Sequence, residues 1–123
     1  MTRKDFIKFI EEREFARRAL LESKGHAYSG DVDAFLNFKR NAEKVGITKY
    51  QIWLVYFQKH LDAIVQAIKD NPSNPVDYSE GLEGRIDDAI NYLNLFAGMN
   101  KEDKETPAPQ SDIYAKHDTR ANS

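Results

Sequence analysis

Between Ser79 and Met99 the chain reads SEGLEGRIDDAINYLNLFAGM, and within it Glu80, Glu83, Asp87 and Asn91 recur at spacings of three and four. Residues at those spacings are neighbours on a helix, so three carboxylates and one amide line up along one edge. Carboxylate oxygens are what a hard cation such as Mg²⁺ takes as ligands. A cation held there polarises a phosphoryl oxygen and lowers the pKa of an attacking water. The row therefore predicts a Mg²⁺ site at Glu80, Glu83 and Asp87, with Glu83 and Asp87 as the catalytic pair. It also has a plainer reading, as a solvated face whose acids pair with Arg85, Lys39 or Arg40. The residues alone leave both open.

Groups suited to the rest of a phosphorylated ligand are scattered along the chain. Lys39 and Arg40 suit a phosphate, one as a point charge and the other as a planar fork; surface ion pairs are their ordinary alternative. Lys59 could offset charge on a departing phosphate. Tyr28 and Trp53 could stack on a base. His60 falls at the margin of an apolar helix face, where a histidine satisfied in the core is the ordinary alternative. Histidines at 26, 60 and 117 are too dispersed for a zinc site. Neither common Gly-rich phosphate loop occurs, nor does a GxSxG nucleophile motif.

The elements that must position these groups read as helices. No β-branched strand-like run appears, and no proline precedes Pro72. Residues 3 to 24 form a first helix, capped by Thr2 with Asp5 three positions on. Residues 23 to 32 should break it, with Gly25 at its end and His26 and Tyr28 on a connecting loop. Residues 33 to 45 form a short helix begun by Asp31 or Asp33 and ended by Gly46. Thr48 starts a long helix to about Asp70, with a broad apolar face of Trp53, Leu54, Phe57, Leu61, Ile64, Val65 and Ile68. That breadth suits a central bundle helix, and Asp62 could join the acid row if this helix ran antiparallel to the next. Pro72 and Pro75 mark a linker. The last helix places Leu82, Ile86, Ala89, Ile90, Leu93, Phe96 and Ala97 on its buried side, with Ser79 as its N-cap. The fold class is all-α, four-helix bundle-like, with a helical domain over 1–99 and a polar, flexible C-terminal tail over 100–123 in which Ile113 and Tyr114 are the bulky anchors.

Composition narrows the class. The 123 residues carry 18 basic and 20 acidic side chains, a net charge of −2, and no cysteine. Disulfides and thiolate metal sites are excluded. The charge gives no strong nucleic-acid signal, because gripping a phosphate backbone needs concentrated positive charge. No apolar run reaches the roughly 18 residues that span a membrane, and the opening MTRKDFIKF lacks a signal-peptide pattern, so a cytoplasmic protein without a membrane partner is expected. Phe9, Phe15 and Ala19 widen the apolar side of the first helix, which is usual for a helix sandwiched between elements or lying at a subunit interface.

The segment Glu80–Glu83–Asp87–Asp88–Asn91–Tyr92, an ExxE followed by D and then an apolar helix, resembles the all-α nucleoside triphosphate pyrophosphohydrolases, the MazG-like and dimeric dUTPase-like group. Over residues 3 to 98 the chain is also similar to small phage-encoded proteins associated with nucleotide modification. The likeness rests on Lys24–Gly25 with Tyr28, on Asn37–Phe38–Lys39–Arg40, on Lys59–His60, and on GRIDDAINYL from Gly84 to Leu93. The resemblance implies a four-helix architecture, a homodimer or higher homo-oligomer, and Mg²⁺-dependent cleavage between the α and β phosphates of a small-molecule nucleotide. It places Tyr28, Lys39, Arg40, Lys59, His60 and Asn91 around the nucleotide, and a phage protein would work in the host cell cytoplasm. The EExxE motif usual on the preceding long helix is absent; Asp62 stands there. Two other functions fit the same residues: non-catalytic binding or sequestration of a nucleotide or nucleotide signal, and a helical protein–protein interaction module.

Overall fold

The computed structural model describes residues 1–79 and 81–105. They form four helices, α1 (Arg3–Ser29), α2 (Leu36–Val45), α3 (Lys49–Asp70) and α4 (Leu82–Glu105), with no strand among the described residues. The arrangement is that of a four-helix bundle. Glu80 and residues 106–123 lie outside the described residues, and with them the expectations for Ile113, Tyr114 and His117.

Local signals account for most helix ends. The Thr2 hydroxyl accepts from the Asp5 N–H and the Asp5 carboxylate accepts from the Thr2 N–H, a complete capping box. Thr48 and Gln51 repeat it at the start of α3. The Asp33 carboxylate accepts from the Phe35 N–H just before α2. Gly46 ends α2 with φ at 81°, a left-handed conformation that glycine adopts without strain.

The bounds of α1 and α4 differ from the sequence expectation. α1 runs through Gly25 without interruption and stops at Gly30, so His26 and Tyr28 sit on its last turn and not on a loop. A glycine inside a helix costs only about 1 kcal/mol against alanine, less than packing against α2 and α4 recovers. α4 begins at Leu82, later than a Ser79 cap requires, and continues six residues beyond Met99. Its last turns are held from outside: Glu102 takes an ion pair from Lys39 at 2.8 Å, and Asp103 takes one from Lys49 at 2.6 Å and a hydrogen bond from the Tyr50 hydroxyl.

The core is small. Phe38 and Ala42 of α2, Ile52 and Trp53 of α3 and Met99 of α4 are its buried residues, with Phe35, Tyr50, Tyr56, Phe57, Tyr92 and Leu95 packed against them. Trp53 stacks on Phe57 at 4.8 Å, meets Phe96 edge-on, and donates its indole N–H to the Tyr92 carbonyl. It is a core residue, away from any base-stacking position. α3 and α4 run antiparallel, joining Lys49 to Asp103 at one end and His60 to Asp88 further along. α1 lies on the other side of α4, with Arg13 and Arg17 beside Asp87 and Lys24 beside Asp88.

The orientation of α4 reverses the periodicity argument. The residues it turns inward are Arg85, Asp87, Asn91 and Met99. Ile86, Leu93 and Phe96, from the stripe expected to be buried, are exposed, as are Leu54, Leu61, Val65 and Ile68 of α3. Apolar periodicity identifies a face that needs covering; here the described residues leave much of that face exposed.

Candidate functional site

A cavity of about 330 Å³ opens where the four helices meet. α1 contributes Leu21, Lys24, Gly25 and Tyr28, and α2 contributes Asn37 and Phe38. Lys59 and His60 come from α3, and Asp88, Asn91, Tyr92 and Leu95 from α4. Such a space, with apolar walls and a few convergent polar groups, has the build of a small-molecule site.

The helical register explains the convergence. Asp88, Asn91, Tyr92 and Leu95 follow spacings of three, four and seven along α4, one continuous edge. Lys24 and Tyr28 are four apart on α1, and the absence of a side chain at Gly25 leaves the wall open beside them. The Asn37 backbone N–H donates to the Ser29 hydroxyl, which ties the start of α2 to the end of α1 at the rim. The Asn37 amide oxygen accepts from Asn41, whose amide also donates to the Tyr56 hydroxyl.

Asp88 is the centre of charge. Its Oδ1 lies 3.1 Å from Lys24 Nζ and its Oδ2 lies 3.8 Å from His60 Nδ1. His60 is buried and its ring lies 5.1 Å from that of Tyr92. Burial raises the Tyr92 pKa, and the Asp88 charge adds to the shift, so this phenol stays a neutral donor at physiological pH. Lys59 is exposed at the rim and has no ion-pair partner among the described residues. Tyr28 stands half out of the cavity with its ring accessible. The site thus offers two ammonium groups, one histidine, one carboxylate, two amides and an aromatic face.

Of the residues singled out in the sequence, Tyr28, Lys59, His60 and Asn91 meet at this cavity. Lys39 does not: its Nζ bridges Asp33 at 2.9 Å and Glu102 at 2.8 Å. The Glu102 hydrogen bond raises the Lys39 pKa against the opposing effect of burial. Arg40 is exposed on α2 and does not line the cavity. Asp62 is exposed and accepts from Gln58 on its own helix.

Glu83 and Asp87 face α1. The two Asp87 oxygens meet Arg13 and Arg17, and Glu83 Oε1 pairs with Arg13 at 2.8 Å. Asp87 is buried and Glu83 is largely exposed. Both Asp87 oxygens and one Glu83 oxygen are turned to guanidinium groups. Glu80 lies outside the described residues, among which no cluster of three metal-ligating side chains forms. The carboxylate that does reach the cavity, Asp88, was legible only as part of the GRIDDAINYL segment. Helical angle alone separates it from Asp87 by 100°, but nothing local says which neighbour faces a ligand.

Asn91 joins the two regions: its side-chain amide donates to the Arg17 carbonyl at 3.4 Å while it also lines the cavity. No described helix is long and apolar enough to cross a membrane. Comparison of the chain with protein-family models, with curated proteins and with solved structures finds no match.

Proposed function

We propose that this chain binds a nucleotide in the cavity between its four helices. The observation that carries the reading is the meeting of Lys24, Lys59 and His60 with Asn37 and Asn91 around a space of about 330 Å³. Lysine ammonium groups attract a phosphate. Amides offer the donor and acceptor pair that a base edge requires, and the exposed Tyr28 ring offers a stacking surface worth about 1–3 kcal/mol per base. The resemblance to MazG-like pyrophosphohydrolases and to nucleotide-modification proteins supports the same ligand class.

Hydrolysis of the nucleotide's phosphate is a second reading, favoured by the Asp88–His60 pair. The carboxylate, 3.8 Å from one imidazole nitrogen, places a negative charge beside the ring. His60 would take a proton from water as the water oxygen bonds to phosphorus. The bond to the leaving phosphate would break, and Lys24 and Lys59 would offset the charge that develops there. Glu83, with one oxygen outside its pair with Arg13, and Asp87 would be the residues to hold Mg²⁺ if their arginine pairs opened, and the ion would then polarise a phosphoryl oxygen.

Calorimetric titration with nucleoside mono- and triphosphates, with and without Mg²⁺, tests both readings when the ligand is afterwards quantified by ³¹P NMR. Stoichiometric binding with unchanged ligand recovered supports binding alone. Release of pyrophosphate or phosphate, lost in His60→Ala, supports hydrolysis. Heat of dilution only, for every nucleotide, contradicts both and leaves the interaction-module reading.

A further inference from the structure

We infer that Gly25 is a passage between the cavity and a second hollow, and that the ligand held by its phosphate carries an apolar, uncharged extension that lies across it. The second hollow, about 400 Å³, is bounded by α1, by the segment leading into α2 and by α4. Leu21, Gly25, Ala34 and Leu95 line both spaces. The helical register of α1 places the join. Lys24 lines the first space alone and His26 the second alone, and each stands about 100° around the helix from Gly25 between them. A side chain at position 25 would therefore rise on the ridge that separates the two. A Cβ built there meets nothing within 4 Å, so the ridge is open at this point. The gap costs helix stability, because glycine is the poorer helix former, and an open passage is what the chain gains for it.

The lining of the second hollow says what the extension is. Leu21, Ala34, Phe35 and Leu95 give it an apolar floor. The Phe35 ring is seated against Gly98, where an added Cβ would come within 2.7 Å of the ring tip. The polar rim carries Glu22 and Asp31, and no lysine or arginine lines this space. The Asp31 carboxylate meets His26 Nδ1 at 3.1 Å. A second phosphate or a carboxylate would meet like charge here, with no ammonium or guanidinium group to offset it. An apolar group instead leaves water together with the floor it covers, which is favourable. The inference deepens the nucleotide reading, on which it rests, by naming the ligand as a nucleotide with an apolar substituent. Lys24 and Lys59 hold the phosphate end, and the second hollow takes the substituent.

Calorimetric titration of the full chain with adenosine monophosphate, methyl phosphate, hexyl phosphate and carboxypentyl phosphate tests the inference. Hexyl phosphate should bind at least about tenfold more tightly than methyl phosphate, the gain from burying about two methylene groups. Carboxypentyl phosphate, of similar length but ending in a carboxylate, should lose most of that gain. Gly25→Leu should abolish it with helical circular dichroism retained, since leucine is the better helix former. Amide NMR shifts of the wild type give a readout independent of any variant. Hexyl phosphate should move His26, Phe35 and Asn94, which line only the second hollow, and methyl phosphate should not. Equal affinity for hexyl and methyl phosphate, a gain that Gly25→Leu leaves intact, or shifts confined to the first cavity would overturn the inference. Those results with adenosine monophosphate still bound leave the nucleotide reading standing. No binding of adenosine monophosphate or of any alkyl phosphate contradicts both.

Discussion

Asp87 and Asp88 are adjacent in the chain and do opposite things. Asp87 is buried against Arg13 and Arg17 and ties α1 to α4. Asp88 opens onto a cavity, where Lys24 and His60 face it. A step of one residue, 100° around the helix, separates a structural carboxylate from a candidate site carboxylate. Chemical type is therefore a poor guide to role, and surroundings are a good one. A buried acid with two guanidinium partners leaves uncompensated charge behind when it is removed. An acid beside an exposed ammonium, in a space large enough for a ligand, can be changed with little harm to the fold.

The largest expected effect follows for Asp87→Ala. It strips Arg17 of its carboxylate and leaves Arg13 only the exposed Glu83, a loss of up to about 3–5 kcal/mol, and urea unfolding should show it as a clear drop in midpoint. A loss under 1 kcal/mol would mean that Asp87 is no more structural than its neighbour. Asp88→Asn should do the reverse. Its unfolding midpoint should stay within about 1 kcal/mol of the wild type, because Lys24 is half exposed and keeps its hydration. Phosphate affinity should rise several-fold, since a carboxylate lining the cavity is lost. Any hydrolytic turnover should fall, since His60 loses the negative charge 3.8 Å from its ring. Weakened phosphate binding in this variant would place Asp88 among the groups that hold the ligand.

Smaller effects come from regions that neither acid touches. Burial raises the pKa values of Asp33 and Asp103, but hydrogen bonds from Lys39 to Asp33 and from Lys49 and Tyr50 to Asp103 outweigh it, so both values are lowered. Stability from these carboxylates is present above about pH 4 and is lost as pH falls through their folded values. Burial, helped by the Asp103 hydrogen bond, pushes Tyr50 up to about 12. Its contribution is complete below about pH 10 and disappears as pH rises through 12. Denaturation midpoints should therefore decline at both extremes, and Tyr50→Phe should flatten the alkaline limb most and the acid limb slightly, because Asp103 loses one of the hydrogen bonds that lower its value. The smallest change is expected from Glu83→Gln. This exposed pair with Arg13 is worth about 0–1 kcal/mol, so a midpoint shift beyond that would move Glu83 into the structural cluster with Asp87.

Features written in local chemistry were legible in the sequence. Thr2 with Asp5, Thr48 with Gln51, and Gly46 mark ends that depend on three or four consecutive residues, and the all-α class follows from periodicity and composition. Gly25 misleads because a helix tolerates one glycine when tertiary packing holds both sides. The end of α4 at Glu105 is unreadable locally because its anchors, Lys39 and Lys49, lie more than fifty residues away. The separate roles of Asp87 and Asp88 are hidden for the same reason, their partners being Arg13, Arg17 and Lys24 on α1. The outward turn of the apolar stripe on α4 is a different kind of miss. Periodicity reports that a face seeks burial and is silent on which molecule buries it.

The claim on which the functional reading depends is that the cavity grips a ligand by its phosphate. The direct measurement is calorimetric titration of a nucleoside monophosphate and its phosphate-free nucleoside into the wild type and into Lys59→Met, a change at an exposed residue outside the core. The account predicts at least about tenfold tighter binding of the monophosphate by the wild type, a gap of roughly 1.4 kcal/mol, and a clear narrowing of that gap in the variant. Equal affinity for the two ligands, or a gap that Lys59→Met leaves unchanged, would contradict it.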